Sequence, residues 1–141
     1  MTYYMYVSVS GEDYIAVYSV DSSTGQTILE DKMNIQGRPA PLAISEDRNY
    51  LYVGTREDFA ISSYKIDKLS GLLDLIDRIP LDSDPCYLST DNTGKYIFSA
   101  YYNAGKVAVH KILYSGSIEA HPTVDLHTAT GAHCIQTDKS N

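Results

Sequence analysis

The chain repeats itself every 46 residues. Tyr4, Tyr50 and Tyr96 stand in one phase, and Tyr6, Tyr52 and Phe98 in another. Ser10, Arg56 and Tyr102 follow in the same register, then Ile15, Ile61 and Val107, then Val20, Ile66 and Ile112. Gly25 matches Gly71, and Pro39 matches Pro85. A unit copied at this spacing is one supersecondary element that cannot bury its apolar face alone and does so by stacking on its neighbours.

The middle copy resolves into four short apolar runs: Leu42 to Ser45, Tyr50 to Gly54, Ile61 to Ile66 and Leu72 to Leu81. Each is β-branched or aromatic and of strand length, and none has the i, i+3, i+4, i+7 spacing of a helix. The punctuation repeats with them. Asp21-Ser22-Ser23-Thr24-Gly25 and Asp67-Lys68-Leu69-Ser70-Gly71 close the same hairpin, with glycine supplying a positive φ, and Tyr114-Ser115-Gly116-Ser117 is expected to close it a third time. Ser45 to Asn49 and Thr90 to Lys95 mark another tight reversal. The class is all-β. Four-stranded antiparallel units repeated radially make a β-propeller; an open sandwich shares the short strands but has no reason to repeat its sequence.

With the strands of each unit named A to D from the inside outwards, the register can be followed to both ends. Strands B, C and D of a first blade fall within 3–35, a full blade spans 41–81, a second full blade spans 86–126, and an inner strand without successors is expected at 133–138. A strand at one terminus often completes the blade begun at the other, but here that closure would give three blades, fewer than the four to eight typical of propellers. The expectation is therefore a partial propeller within 1–141, the first part of a longer ring, which exposes blade edges and self-associates through them.

Composition narrows the partners. A net charge of -7 and no basic stripe argue against nucleic acid. No run is long enough to span a membrane, and the first residues lack the pattern of a signal peptide, so the cytoplasm is the expected location. The 13 tyrosines suit strands packed between blades with their hydroxyls at the wet edge. Cys86 and Cys134 fall in different blades and are read as free, buried thiols. His121, His127 and His133 lack tight ligand spacing, and no metal site is expected.

Strand order also predicts which loops share a face. The D-to-A loops hold Gly37-Arg38-Pro39, Asp84-Pro85-Cys86 and Gly131-Ala132-His133; the B-to-C loops hold Ser8 to Asp13, Thr55 to Asp58 and Tyr101 to Gly105. All lie at one end of the blades, around the mouth of a central channel. Simpler roles compete there: Arg56 could pair with Glu57 or Asp58 at the rim. Tyr101 and Tyr102 point to opposite faces, so one of them belongs to the core.

On these residues the chain resembles the seven-bladed propeller lactonases, the family of the bacterial propeller-type 6-phosphogluconolactonase, related to the carboxymuconate cyclases. The matching stretches are Pro41 to Asp47 running into Tyr50 to Arg56, Tyr87 to Asp91 with Gly94-Lys95-Tyr96, Tyr102 to Val107, and Gly131-Ala132-His133 with Thr137-Asp138. Arg56, Asn103-Ala104-Gly105 and Gly131 with His133 are the more specific parts. The resemblance implies about three blades of a seven-bladed ring. It also implies cofactor-free hydrolysis of a phosphorylated sugar lactone, 6-phosphogluconolactone, to 6-phosphogluconate in the pentose phosphate pathway.

Lactone opening needs water delivered to an ester carbonyl and positive charge near the developing oxyanion. Histidine has the ordinary pKa suited to a general base, which makes His133 the candidate base. Arg56 can stabilise an oxyanion or hold a phosphate. Tyr102 and Asn103 can orient sugar hydroxyls, and Arg38 completes the candidate binding set. Two other readings use the same face: a muconate-type cycloisomerase, which moves a proton instead of adding water, and a propeller that only binds a partner. By itself the chain is expected to be inactive.

Overall fold

The computed structural model describes residues 2–138 and 140. Eleven strands form three antiparallel sheets among them. The first sheet is β1 (Thr2–Val9), β2 (Tyr14–Asp21) and β3 (Thr27–Asn34), in that order. The second is β4 (Pro39–Ile44), β5 (Tyr50–Thr55), β6 (Ala60–Ile66) and β7 (Leu73–Pro80). The third is β8 (Tyr87–Thr90), β9 (Tyr96–Tyr101), β10 (Lys106–Lys111) and β11 (Val124–His127). Each sheet is a meander, and adjacent sheets pack face to face as blades of a partial propeller.

The repeat extends into features that composition does not reveal. The outer ladder carries a bulge between Val17 and Tyr18 in the first blade and between Ser63 and Tyr64 in the second, the same phase. At the B-to-C turn Asp13, Phe59 and Gly105 all take positive φ, at 54°, 47° and 61°. Their carbonyls accept from Ile35, Leu81 and Thr128 N–H groups, each at 2.7 Å. That turn needs the left-handed conformation whatever residue stands there, and only the third blade supplies glycine. Asp21 and Asp67 each accept the N–H groups two and three residues on, which explains their recurrence before the C-to-D hairpin.

Alternation along the strands divides the core between two interfaces. Ile15, Ile35, Leu51, Val53, Tyr64 and Leu73 fill the first, between blades one and two. Ala43, Tyr52, Ile61, Ile79, Leu88 and Ile97 lead the second, between blades two and three. Stitches across the interfaces also repeat: Tyr4 packs on Gly71 in the first, and Tyr50 on Gly116 in the second. Tyr6 Oη donates to the Gly71 carbonyl at 2.9 Å. The third-blade hairpin closes differently, through the Ile112–Ile118 bridge, and the Tyr52 hydroxyl, in the phase of Tyr6, is left buried without a hydrogen-bond partner among the described residues.

Two expectations are corrected, the inner strand at 133–138 and the burial of both cysteines. Residues 133–138 do not form a strand. They run beside β8, held by side chains: Ser89 Oγ donates to the Ile135 carbonyl at 2.6 Å and Gln136 Nε2 to Tyr87 Oη at 2.6 Å. A ladder needs a backbone partner on the next strand, and no described strand lies there. The outer strand of the third blade is four residues long, where β3 and β7 have eight. Its ladder to β10 is broken around Pro122, which has no N–H to donate: Glu119 N bonds Lys111 O at 3.0 Å, and the next such bond is Thr123 N to Val109 O at 2.7 Å. The cysteines are free, but Cys86 is half-buried and Cys134 exposed, because Cys134 sits on the uncovered segment after β11.

The second interface also buries charge. Lys106 Nζ reaches Asp82 Oδ2 at 2.6 Å and Asp125 Oδ2 at 2.8 Å, and lies 5.3 Å from the Tyr101 ring centroid. His110, on the same face of β10, is 2% exposed. Burial, and then the Lys106 charge, hold the His110 pKa below its ordinary 6.5, although Asp125 and Asp82 pull the other way. The unfolded chain therefore binds a proton that the folded chain refuses. Stability should fall as pH drops from 6.5 towards the folded value, and His110→Phe should flatten that slope in urea titrations across pH 5 to 7. An unchanged slope would show that the imidazole takes up its proton as readily in the folded chain as in the unfolded one.

Candidate functional site

The D-to-A and B-to-C loops meet at one end of the blades, as strand order requires. Arg56 N donates to the Arg38 carbonyl at 3.2 Å and Glu57 N to the Gly37 carbonyl at 3.0 Å; Gly131 N donates to the Tyr102 carbonyl at 2.9 Å. Backbone bonds thus join the two loop sets and carry their side chains to a common rim.

Arg56 is paired with neither of its acidic neighbours in sequence. Its Nη2 lies 2.7 Å from Asp84 Oδ2, on the loop leading into the next blade. Asp58 instead turns to Arg78 on β7 and accepts from Thr55 Oγ1 at 2.6 Å. The reason is reach: Thr55 ends the strand before the Asp58 turn and Arg78 lies on β7, paired with the strand after it, which leaves the Arg56 guanidinium free to cross to the adjoining blade. Asn103 Nδ2 approaches the same Asp84 oxygen at 3.4 Å. Burial raises the Asp84 carboxyl's pKa, but the hydrogen bond and charge of Arg56, with help from Asn103, outweigh it and hold the group ionised below the ordinary carboxylate range.

The other half of the rim is aromatic. The Tyr102 and His133 rings meet edge to face, with centroids 5.8 Å apart and planes at 88°. Tyr101, one residue earlier, is 1% exposed and belongs to the core, whereas Tyr102 is 46% exposed. Arg38 sits at φ 59°, its N–H bonded to Asp13 Oδ1 at 2.7 Å, and its side chain forms no ion pair among the described residues.

Contacts therefore run from Arg38 through Arg56, Asp84 and Asn103 to Tyr102 and His133. All five residues expected at the site stand on this rim. Strand order puts Asp84 on this face without marking it as a partner of Arg56. The signal was present in its position, 28 residues after Arg56 and one before the repeated proline, but a pairing between blades leaves no local pattern. Among the described residues no group of three or more His, Cys, Asp or Glu side chains is arranged to hold a metal.

Antiparallel meanders packed side by side as blades define the class, a β-propeller. The family model for the lactonases with a seven-bladed β-propeller matches residues 2–78 and 36–141, so the chain belongs to that family. Solved structures agree on the fold. A candidate 6-phosphogluconolactonase from Bacteroides uniformis aligns at a TM-score of 0.83 with 21% identity, covering 93% of this chain and 39% of its own. A candidate 6-phosphogluconolactonase from Bacteroides fragilis aligns at 0.72 with 23% identity, covering 89% and 35%. The periplasmic gluconolactonase of Pseudomonas aeruginosa aligns at 0.72 with 26% identity, covering 84% and 37%. The chain thus spans less than two-fifths of the length of each of these proteins. No curated protein matches it in sequence.

Proposed function

We propose that the rim is part of the substrate mouth of a sugar lactonase, with 6-phosphogluconolactone as substrate and 6-phosphogluconate as product. The observation that carries this reading is the connected rim, in which cationic, carboxylate, amide and imidazole groups from successive blades converge on one end of the channel. His133 takes a proton from water as its oxygen attacks the lactone carbonyl. The acyl C–O bond then breaks, and the ring oxygen leaves as a hydroxyl, reclaiming a proton from the imidazolium. Arg56, held at one Nη2 by Asp84, keeps its other N–H groups to stabilise the oxyanion. Arg38, without an acidic partner, is the phosphate's cation. Tyr102 and Asn103 orient the sugar hydroxyls.

The test, made on the complete seven-bladed protein that carries this sequence (the parent), is hydrolysis of 6-phosphogluconolactone and unphosphorylated gluconolactone, with spontaneous opening subtracted. His133→Ala should lower kcat by about 10²–10⁴-fold on both substrates. Arg38→Ala should raise KM for the phosphorylated substrate alone, and Asp84→Ala should impair both by releasing Arg56. A His133→Ala rate equal to the parent's would remove the base assignment. Binding without turnover in the parent would favour the platform reading, and isomerisation of a muconate without lactone opening would favour the cycloisomerase.

A further inference from the structure

At the edge of the interface between the two complete blades lies an open cleft of about 370 Å³, none of whose lining residues belongs to the rim cluster. That size lies at the lower end for small-molecule sites. Its polar lining joins the buried Lys106 and His110 to the exposed Asp82, Asp125 and His121; Pro80 and Pro122 are among its apolar walls. Lys106 and His110 lie on one face of β10, and the cross-strand partner of His110 is Ile97, a member of the interface core. Both side chains are therefore turned towards the second blade.

Two observations point to a ligand. The first is His110 Nδ1, buried in a residue 2% exposed and without a hydrogen-bond partner among the described residues. A buried polar atom left unpaired is costly, and native structures seldom keep one without use. The second is a comparison within the molecule. Arg78 pairs across the sheet with Ser62, and Asp125 pairs with Ala108, the position of Ser62 in the repeat. In the second blade the Arg78 side chain crosses this space, donating to Ser62 Oγ at 2.7 Å and Thr55 Oγ1 at 3.0 Å. In the third blade the shorter Asp125 leaves the space open and polar.

The charges restrict the occupant. Two carboxylates face one ammonium, so an anion is repelled; a cation would be forced beside the buried Lys106. Lys106 spends two of its three N–H donors on the Oδ2 atoms of Asp82 and Asp125, whose Oδ1 atoms make no hydrogen bond to described residues. Hydroxyl groups both donate and accept, and so can satisfy these oxygens, the remaining ammonium proton and either tautomer of the imidazole. We propose that the cleft binds a small neutral polyhydroxy compound of monosaccharide size, held by Asp82, Asp125, Lys106 and His110. This site is independent of the rim and of the reaction assigned there.

Saturation-transfer NMR on the 141-residue chain with D-glucose as probe, and glucose 6-phosphate as the anionic control, tests this. D-glucose should receive saturation and shift the His110 ring resonances, and glucose 6-phosphate should do neither at this site. Asp125→Asn, on the exposed edge strand, and His110→Phe should each weaken D-glucose binding about tenfold or more, with folding verified by circular dichroism. Arg56→Ala and His133→Ala should leave it intact. The proposal is overturned if D-glucose does not bind, or if its binding survives Asp125→Asn and disappears in Arg56→Ala, which would place the sugar at the rim.

Discussion

Gly71→Ala is expected to destabilise the fold by about 2–4 kcal/mol, combining left-handed backbone strain with overpacking. Gly71 is buried at φ +73°, and a Cβ there would lie 2.3 Å from Tyr4 Cδ1. The ring cannot retreat freely, because the Tyr4 hydroxyl donates to the Leu69 carbonyl and Tyr6 Oη to that of Gly71 itself. Gly25→Ala separates the two costs, since Gly25 has φ +74° in the same phase of the repeat but nothing within 4 Å of its would-be Cβ. That variant should lose only the strain, about 1–2 kcal/mol. Urea unfolding of both decides the matter: equal losses would show that the Tyr4 contact carries no stability. Gly116→Ala should behave like Gly71→Ala, its Cβ meeting the Tyr50 ring at 2.3 Å.

Asp91→Ala should cost about 2–4 kcal/mol, because it removes the acceptor of four part-buried hydrogen bonds at once. The side chain is 1% exposed and organises the turn between β8 and β9. Oδ1 accepts the Lys95 and Tyr96 N–H groups at 2.8 Å each, and Oδ2 accepts the Thr93 N–H at 3.2 Å and the Thr93 hydroxyl. In the second blade Ser45 occupies this phase and meets the equivalent donor, Tyr50 N–H, at 3.0 Å. Burial raises the pKa of Asp91, but the Thr93 hydroxyl and the three backbone donors prevail and hold it below its ordinary value. The stability this adds is present above the unfolded carboxylate pKa and is lost as pH falls from there through the lower folded value. Asp91→Asn should thus lose less stability relative to the parent at pH 3 than at pH 7. A loss under about 1 kcal/mol for Asp91→Ala at neutral pH would mean that water replaces the carboxylate.

The parts of the fold legible beforehand were those written in neighbouring residues. Alternation and the Asp and Gly turn signals mark the four strands of the second blade, β4 to β7, to within a few residues. The short β11 was less legible, because it depends on where Pro122 falls against β10. The site was legible as a face but not as a set of pairings. Strand order alone puts Arg38, Arg56, Tyr102, Asn103 and His133 at one end, since antiparallel meanders send alternate loops to the same side. The choice of Asp84 over Glu57 or Asp58 as the partner of Arg56 depends on how one blade stands against the next.

The 46-residue period by itself determined the blade, its turns and the end at which the candidate site lies, because strand alternation and turn conformation are set by residues close in the chain. Only the tertiary structure decided that Arg56 serves Asp84, that Lys106 sits between two carboxylates and that a polar cleft opens beside His110. Those are contacts between residues 15 to 28 positions apart or in different blades, and their energies depend on burial and distance, which a repeat in sequence does not encode.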